Sequence, residues 1–389
     1  MSLDRIREDM MVLAGRLVHR SAQTEEERRA AEFIRDRMRE YAPDVQVEDF
    51  HTIDNYPFLF ASYFAEFLVV ALLALWFPGF AAVYGAVVFA AFLAEFLGFR
   101  LFSRLLPQFE SQNVVGRFEA LEPRPLIIVT AYYDSGCANV LSQPNMRRWL
   151  RPALLLAVLC MLTVIATCAV DAIASYSGGA NAFTMHLRWG AVSLLLSSAL
   201  VLFYAAARGE DIRGANNNAS GVAALLRLAE HLEQDWLPHS NVWLAATGSH
   251  EAWSSGLRSL LTTHRPPKNN TCVVNLEAVG IGALHYLSAE GMLHGSKPNR
   301  RLAEAAQAAA PQYGVAPARL RALPTEAHAA HARGYPALTI MALGEEGLPV
   351  EWNWVADRVT GVDEAQIAQA ADFTLDLLRR LDESLAHRL

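Results

Sequence analysis

Residues 214–221 read Gly214-Ala215-Asn216-Asn217-Asn218-Ala219-Ser220-Gly221. Asn218 and Ser220 offer side-chain oxygens to the free N–H groups of a helix start, and a helix over Gly221 to Leu232 follows with its apolar residues on one face. Outward from it lie short apolar runs of strand character: Leu126 to Ala131 before it, and Asn241 to Ala246, Cys272 to Leu276 and Ala337 to Met341 after it. Val45 to Phe50 and Asn113 to Phe118 read as further strands. Helical patterns fall at residues 3–40, where Thr24 and the acids Glu25, Glu26 and Glu27 mark a start, at Ala303 to Ala310 and at Glu364 to Leu385. Strands alternating with helices predict an α/β layered domain with a mainly parallel sheet.

The chain is 389 residues long and 53% hydrophobic, with only 19% charged residues, a balance that points to membrane segments. Four apolar runs of about 20 residues come in two pairs: Pro57 to Phe77 with Phe80 to Phe99, and Pro152 to Ser175 with Trp189 to Ala207. The second pair is joined by the turn-rich Tyr176 to Asn181. The expected organisation is a soluble domain built from residues 1–56, 100–151 and 208–389, interrupted by transmembrane hairpins at 57–99 and 152–207. Arg100, Arg104, Arg147, Arg148, Arg151, Arg208 and Arg213 flank the side to which both hairpins return, while only Arg188 and His186 lie near the other. The positive-inside rule then makes the soluble domain and both termini cytoplasmic in an integral, multi-pass protein. The charged opening Asp4 to Asp9 reads as no cleaved signal peptide. Cys137, Cys160, Cys168 and Cys272 form no metal-binding or disulfide pattern. A net charge of −7 without a basic run excludes nucleic acid as a partner. Membrane lipid is the implied surrounding. Glu66 and Glu95 fall inside the first pair of spans, where a carboxylate is costly. Each is expected to be protonated or paired at a helix contact, a partner's helix being one source of that contact, and Asp171 is expected at the interface.

Ligand-bearing loops of α/β domains sit at the carboxyl ends of strands. Here those loops read Tyr132-Tyr133-Asp134-Ser135, the 214–221 stretch, Gly248-Ser249-His250-Glu251, Asn275-Leu276-Glu277 and Trp352-Asn353-Trp354-Val355-Ala356-Asp357. In that order the series resembles the co-catalytic zinc aminopeptidases, whose relatives include glutaminyl cyclases and the non-catalytic ectodomains of nicastrin and transferrin receptor. The family shows His-x-Asp-Ser, Gly-Ala-Asp-Asp-Asn-Ala-Ser-Gly, Glu-Glu, Asn-Leu-Asp and a late His-Thr-x-x-Asp at the corresponding places. The resemblance implies a three-layer sandwich with a mixed, mainly parallel sheet.

It also implies two zinc ions bridged by an aspartate, with a glutamate as general base for metal-bound water. Carried over residue by residue, the first histidine ligand is Tyr132, the bridging aspartate is Asn217, the last histidine ligand is Asn353 and the general base is His250. Glu251 survives as a carboxylate ligand, and Glu277 replaces an aspartate. Asp134, which the family uses to orient its histidine, has no imidazole to orient. A neutral phenol and two neutral amides are poor zinc ligands. With Asn216 and Asn218 beside it, Asn217 is expected to bond to its neighbours where carboxylates would repel. No catalytic residue and no cofactor are then expected, and the chain reads as an inactive peptidase-like subunit of a larger complex with integral membrane partners. The alternative is a membrane-bound metallo-aminopeptidase or other hydrolase with an altered or weak zinc site using His250 and Glu251. His328 and His331 share a predicted helix and are expected at the surface. A transport role finds few polar residues to line a pore.

Overall fold

The computed structural model describes residues 3–54, 56–119, 124–176 and 182–386, so most of the turn expected at 176–181 lies outside it. Helix α1 (Leu3–Met10) runs into a wide turn at Met11–Arg16, and α2 (Glu25–Met38) follows. The expected helical region 3–40 is therefore broken at 17–24, where Thr24 caps α2 by accepting from Glu27 N. Next come β1 (Asp44–Thr52), α3 (Tyr56–Leu73), α4 (Pro78–Phe96), β2 (Phe109–Phe118) and β3 (Leu126–Tyr132). After them run β4 (Cys137–Ala138), α5 (Pro144–Arg147), α6 (Leu150–Tyr176), α7 (Ala182–Ala207) and β5 (Glu210–Asp211). The rest is α8 (Ser220–Gln234), β6 (Asn241–Thr247), α9 (Ser255–His264), β7 (Thr271–Glu277), β8 (Ala283–Glu290), α10 (Arg300–Ala309), β9 (Ala316–Leu320), α11 (Glu326–Ala332), β10 (Ala337–Leu343) and α12 (Glu364–Ala386).

Eight strands form one mixed sheet in the order β1-β2-β6-β3-β7-β10-β8-β9. The central run β6-β3-β7-β10 is parallel, as is β8 with β9; β1 with β2, β2 with β6 and β10 with β8 are antiparallel. Successive side chains of a strand point to opposite faces, and the core splits accordingly. Ile127 and Val129 pack with the helices α2, α8 and α12, whereas Ile128, Ala245 and Val273 pack with α9 and α11. Helices on both faces make the expected three-layer sandwich. The central strands are buried on both sides, which is why they read as unbroken apolar runs.

The two insertions form a separate bundle in which α3, α4, α6 and α7 pack in a ring. All four helices, of 18, 19, 27 and 26 residues, are long and apolar enough to cross a membrane. At about 1.5 Å per residue the last two are nearer 40 Å than the roughly 30 Å of a hydrocarbon core. Large apolar side chains face outward on every helix, among them Phe58, Phe80, Val83, Leu159, Ile173 and Leu200. The last helix starts at Ala182 rather than Trp189. Arg188, which the sequence puts near the side opposite the soluble segments, is 2% exposed and pairs with Asp171 of α6 at 2.8 Å. That pairing lets the helix extend past a charge that in isolation would end an apolar run. Glu66 accepts from the Tyr84 hydroxyl across α3 and α4. Glu95 accepts from Leu101 N, Ser103 N and Ser103 Oγ at 2.7–2.9 Å. Both acids are thus paired within the chain, and neither waits for an outside helix.

Candidate functional site

The bundle and the sheet meet at the loop after β6. Trp253 stacks among Tyr56, Phe60 and Phe96, with ring centroids 6.2, 4.9 and 5.1 Å away, and its Nε1 donates to Phe96 O at 2.9 Å. Three residues earlier the same loop carries His250 and Glu251, so the site is buttressed directly by the first hairpin. Asp134, at the end of β3, holds this loop by accepting from His250 N at 2.8 Å and Glu251 N at 2.9 Å. Having no imidazole to orient, it orients two peptide groups instead. Glu27 supports the preceding turn through Ser249 N at 2.8 Å and Ser111 Oγ at 3.0 Å.

The side chains from the ends of β3 and β6, from the 214–221 loop and from the 352–357 loop converge as the strand order requires. They form a one-way hydrogen-bonded chain. The Tyr132 hydroxyl donates to Asn217 Oδ1 at 2.5 Å, and Asn217 Nδ2 donates to Asn353 Oδ1 at 2.9 Å. Asn353 Nδ2 then donates to both Glu251 oxygens at 3.0 and 3.1 Å. The carboxylate at the far end sets the direction, because it can only accept. Burial and the carboxylates Glu277 and Glu251 push the Tyr132 hydroxyl well above its ordinary range, so it remains a neutral donor. Gly136 makes room for the chain: a Cβ there would fall 2.3 Å from Asn353 Oδ1.

Asn216, Asn217 and Asn218 do not bond to one another, contrary to expectation. Asn216 donates to Val350 O and accepts from Gly280 N, while Asn218 donates to Tyr132 O and Leu276 O and accepts from Ala278 N. Asp357 accepts from both Asn216 N and Asn217 N at 2.6 and 3.0 Å. The three amides therefore stitch four loops together, since successive side chains point in different directions. Nor does either Asn218 or Ser220 cap α8: Ser220 Oγ returns to Asn216 O, and Ala219 occupies the cap position.

His250 lies flat on the Tyr132 ring, with centroids 3.7 Å apart and planes 6° apart. Its Nδ1 is 4.0 Å from Glu326 Oε1 and 3.4 Å from Ser254 Oγ. Burial lowers the imidazole's affinity for a proton, but Glu326, Glu277 and Glu251 outweigh it and bring the group to about 9. His250 is a buried cation among acids. Burial also raises Glu277 and Glu290 to about 7 and Asp357 to about 6. Glu326, Glu27 and Arg20, whose buried guanidinium donates to Tyr133 O and Gly214 O, are site residues that no motif announced, while Asp357 closes the last of the five loop motifs. His328, expected at the surface, is 9% exposed, and burial lowers both it and His331 to about 4. Packing of α11 against α9 covers them.

These donors do not fit the zinc pair that the resemblance implies. Two ligand atoms about 2.0–2.1 Å from a tetrahedral zinc stand about 3.3 Å apart, with the metal between them. Here Tyr132, Asn217 and Asn353 touch each other directly as donor and acceptor, and all three are neutral. Among the described residues no group of three or more His, Cys, Asp and Glu side chains is placed to hold a metal ion.

The family model for peptidase family M28 matches residues 198–378. Comparison with curated protein sequences gives no match. Among solved structures the chain is similar to a Zn-dependent exopeptidase from Parabacteroides distasonis, with 11% identity, a TM-score of 0.56 and coverage of 97% of this chain and 98% of the other. It is similar to a glutaminyl cyclase from Bacteroides thetaiotaomicron at 12% identity and a TM-score of 0.55, covering 97% of each chain. A zinc aminopeptidase from Bacillus subtilis gives 14% identity and a TM-score of 0.55, covering 97% of this chain and 94% of the other. The sandwich is thus the fold of zinc aminopeptidases and glutaminyl cyclases, and residues 198–378 are similar to peptidase family M28.

Proposed function

We propose that this chain is a metal-free, non-catalytic member of its family that serves as a structural or docking subunit of a larger membrane complex. The observation that carries this reading is the chain Tyr132–Asn217–Asn353–Glu251, in which the residues standing at ligand positions bond to one another. Tyr132, Asn216, Asn217 and Asn218 are all fully buried, which supports a cleft closed over them, with only Glu251 of the bonded chain partly exposed. Without a metal there is no activated water, and a cationic His250 has no proton affinity to spare as a base.

On this reading the hairpins anchor the sandwich at a membrane, and the arginines on the side shared by all soluble segments support a cytoplasmic orientation of that side. Integral membrane proteins are the partners that such an anchor would meet. Elemental analysis of protein purified without chelator is expected to find zinc far below one per chain, with no aminopeptidase turnover. Near-stoichiometric zinc, with activity lost on chelation, would favour the hydrolase reading instead. Purification in mild detergent is expected to bring other membrane proteins with it, and a lone monomer would count against the subunit role. A reporter active only outside the cytoplasm should stay silent when fused to the C-terminus.

A further inference from the structure

Where the sandwich meets the first hairpin, two arginines stand without a counter-ion among the described residues. Arg258, on α9, lies flat against Gly98 just beyond α4: a Cβ on Gly98 would fall 2.3 Å from Arg258 Cζ and 2.5 Å from both Nε and Nη1. Gly98 also has φ +81°, so only glycine meets both demands. Arg258 is 7% exposed, yet its Nε and Nη1 have no hydrogen-bond partner among the described residues. Arg333, following α11, donates through Nη2 to Gly98 O at 3.2 Å, while its own Nε is likewise buried and unpartnered.

The surroundings do not supply the missing charge. Arg258 and Arg333 repel each other; the groups whose fields favour the Arg258 charge are the Tyr56 phenol, which also reaches Arg333, and after it Glu95, the one carboxylate among them. Glu95 is already committed to Leu101 N, Ser103 N and Ser103 Oγ. His328, in the field of Arg258, leaves Nδ1 unpartnered as well. Burial pushes Arg258 down to about 9, a sign of a charge held where water does not reach it. The carbonyl end of α4 offsets part of this cost, but a helix terminus carries only a fraction of a charge. Buried polar groups are almost always satisfied, and a buried unpaired guanidinium is among the least tolerable exceptions. Its planar set of N–H donors matches the oxygens of a phosphate group.

We propose that Arg258 and Arg333 form a binding site for a phosphate-type anion at this junction, entered from the partly exposed Arg333 side. Tyr56 opens α3 and Phe96 closes α4, so the site lies at the sandwich end of the first hairpin. If that hairpin crosses a membrane, this is the level of lipid headgroups. The anion is then either a headgroup phosphate or a free one; the lipid source rests on the membrane reading, and the anion chemistry does not.

The test uses the full chain in a neutral detergent, with its thermal midpoint followed on adding phosphatidylglycerol, a phosphate-free diacylglycerol, or inorganic phosphate against chloride at equal ionic strength. Phosphatidylglycerol is expected to raise the midpoint, and Arg258→Gln and Arg333→Gln are each expected to weaken its binding at least tenfold. Without added anion, Arg258→Gln should match or exceed the parent in midpoint, because it removes an unpaired buried charge. A purely structural arginine would give the opposite sign. A rise with phosphatidylglycerol alone identifies a headgroup, and an equal rise with inorganic phosphate identifies a free anion at the same site. No rise with either, or a rise that survives both substitutions, overturns the proposal. Arg333→Gln, at a partly exposed position, keeps the test decisive should Arg258→Gln not fold.

Discussion

Asn217→Asp is expected to destabilise the sandwich by about 3 kcal/mol at neutral pH, the cost of an unpaired charge in a buried network. In the zinc enzymes that the site resembles an aspartate at this place bridges two cations; on the metal-free reading it would meet none here. The new carboxylate could still accept from Tyr132, but it could not donate to Asn353 Oδ1, now 2.9 Å from the amide nitrogen. It would also join Glu277, Glu251, Asp134 and Glu326, the acids whose fields already reach Tyr132. Burial and like charges raise a carboxyl above its unfolded value of about 3.9. The penalty is therefore absent while both states are protonated, and it grows as pH rises through the window between the unfolded and folded values. Denaturant titrations followed by tryptophan fluorescence should show variant and parent converging toward pH 4 and separating toward pH 8. If added zinc alone lifts the variant above the parent, the metal-free reading of this site is wrong.

The parent protein should itself be more stable at pH 5.5 than at pH 8.5, by an amount on the order of 4 kcal/mol. Glu277 and Glu290 are raised by burial to about 7, Glu27 is raised by burial and by Asp134, and Asp134 by burial and by Glu251. In the window from the unfolded carboxyl values to these folded ones, the native state holds protons that the unfolded chain has released. Stability then falls as pH rises. His250, raised to about 9 by its carboxylate neighbours against the opposing effect of burial, holds a proton that the unfolded chain loses from about 6.5 upward. Its contribution has the same sign and is lost between those values. Each group adds at most about 1.4 kcal/mol per pH unit across its own window. Thermal midpoints across this range test the sum. Glu290→Gln should flatten the slope below pH 7, and His250→Gln should flatten it above. A midpoint that rises steadily from pH 5.5 to 8.5 would contradict the assignment.

The central strands, the four apolar helices and all five loop motifs were legible because each is a local pattern. β8, β9 and α9 were not. Leu287 and Ser288 interrupt no obvious alternation, and Ser255 to His264 mixes apolar and polar residues without the run that marked α8. The extent of α7 was misjudged because Arg188 has its partner on another helix. His328 and His331 looked like surface residues by the same logic, since burial of so short a helix depends on what packs over it.

The identity of each side chain at a ligand position is a property of the sequence alone: a phenol at 132 and amides at 217 and 353 cannot supply the charge that two zinc ions require. So is the length of the apolar runs, because hydrocarbon thickness and helix rise are fixed quantities. Which groups those side chains bond to was decided only by the tertiary structure. Tyr132, Asn217, Asn353 and Glu251 are separated by as much as 136 residues within a single bonded pair, and Glu326 reaches His250 from a helix with no motif at all. Hydrogen bonds act over about 3 Å, a distance that only the sheet and its loops can impose. Two arginines at the foot of a hairpin, without a counter-ion among the described residues, follow from the same cause: their surroundings are a fact of packing, and no spacing in the chain records it.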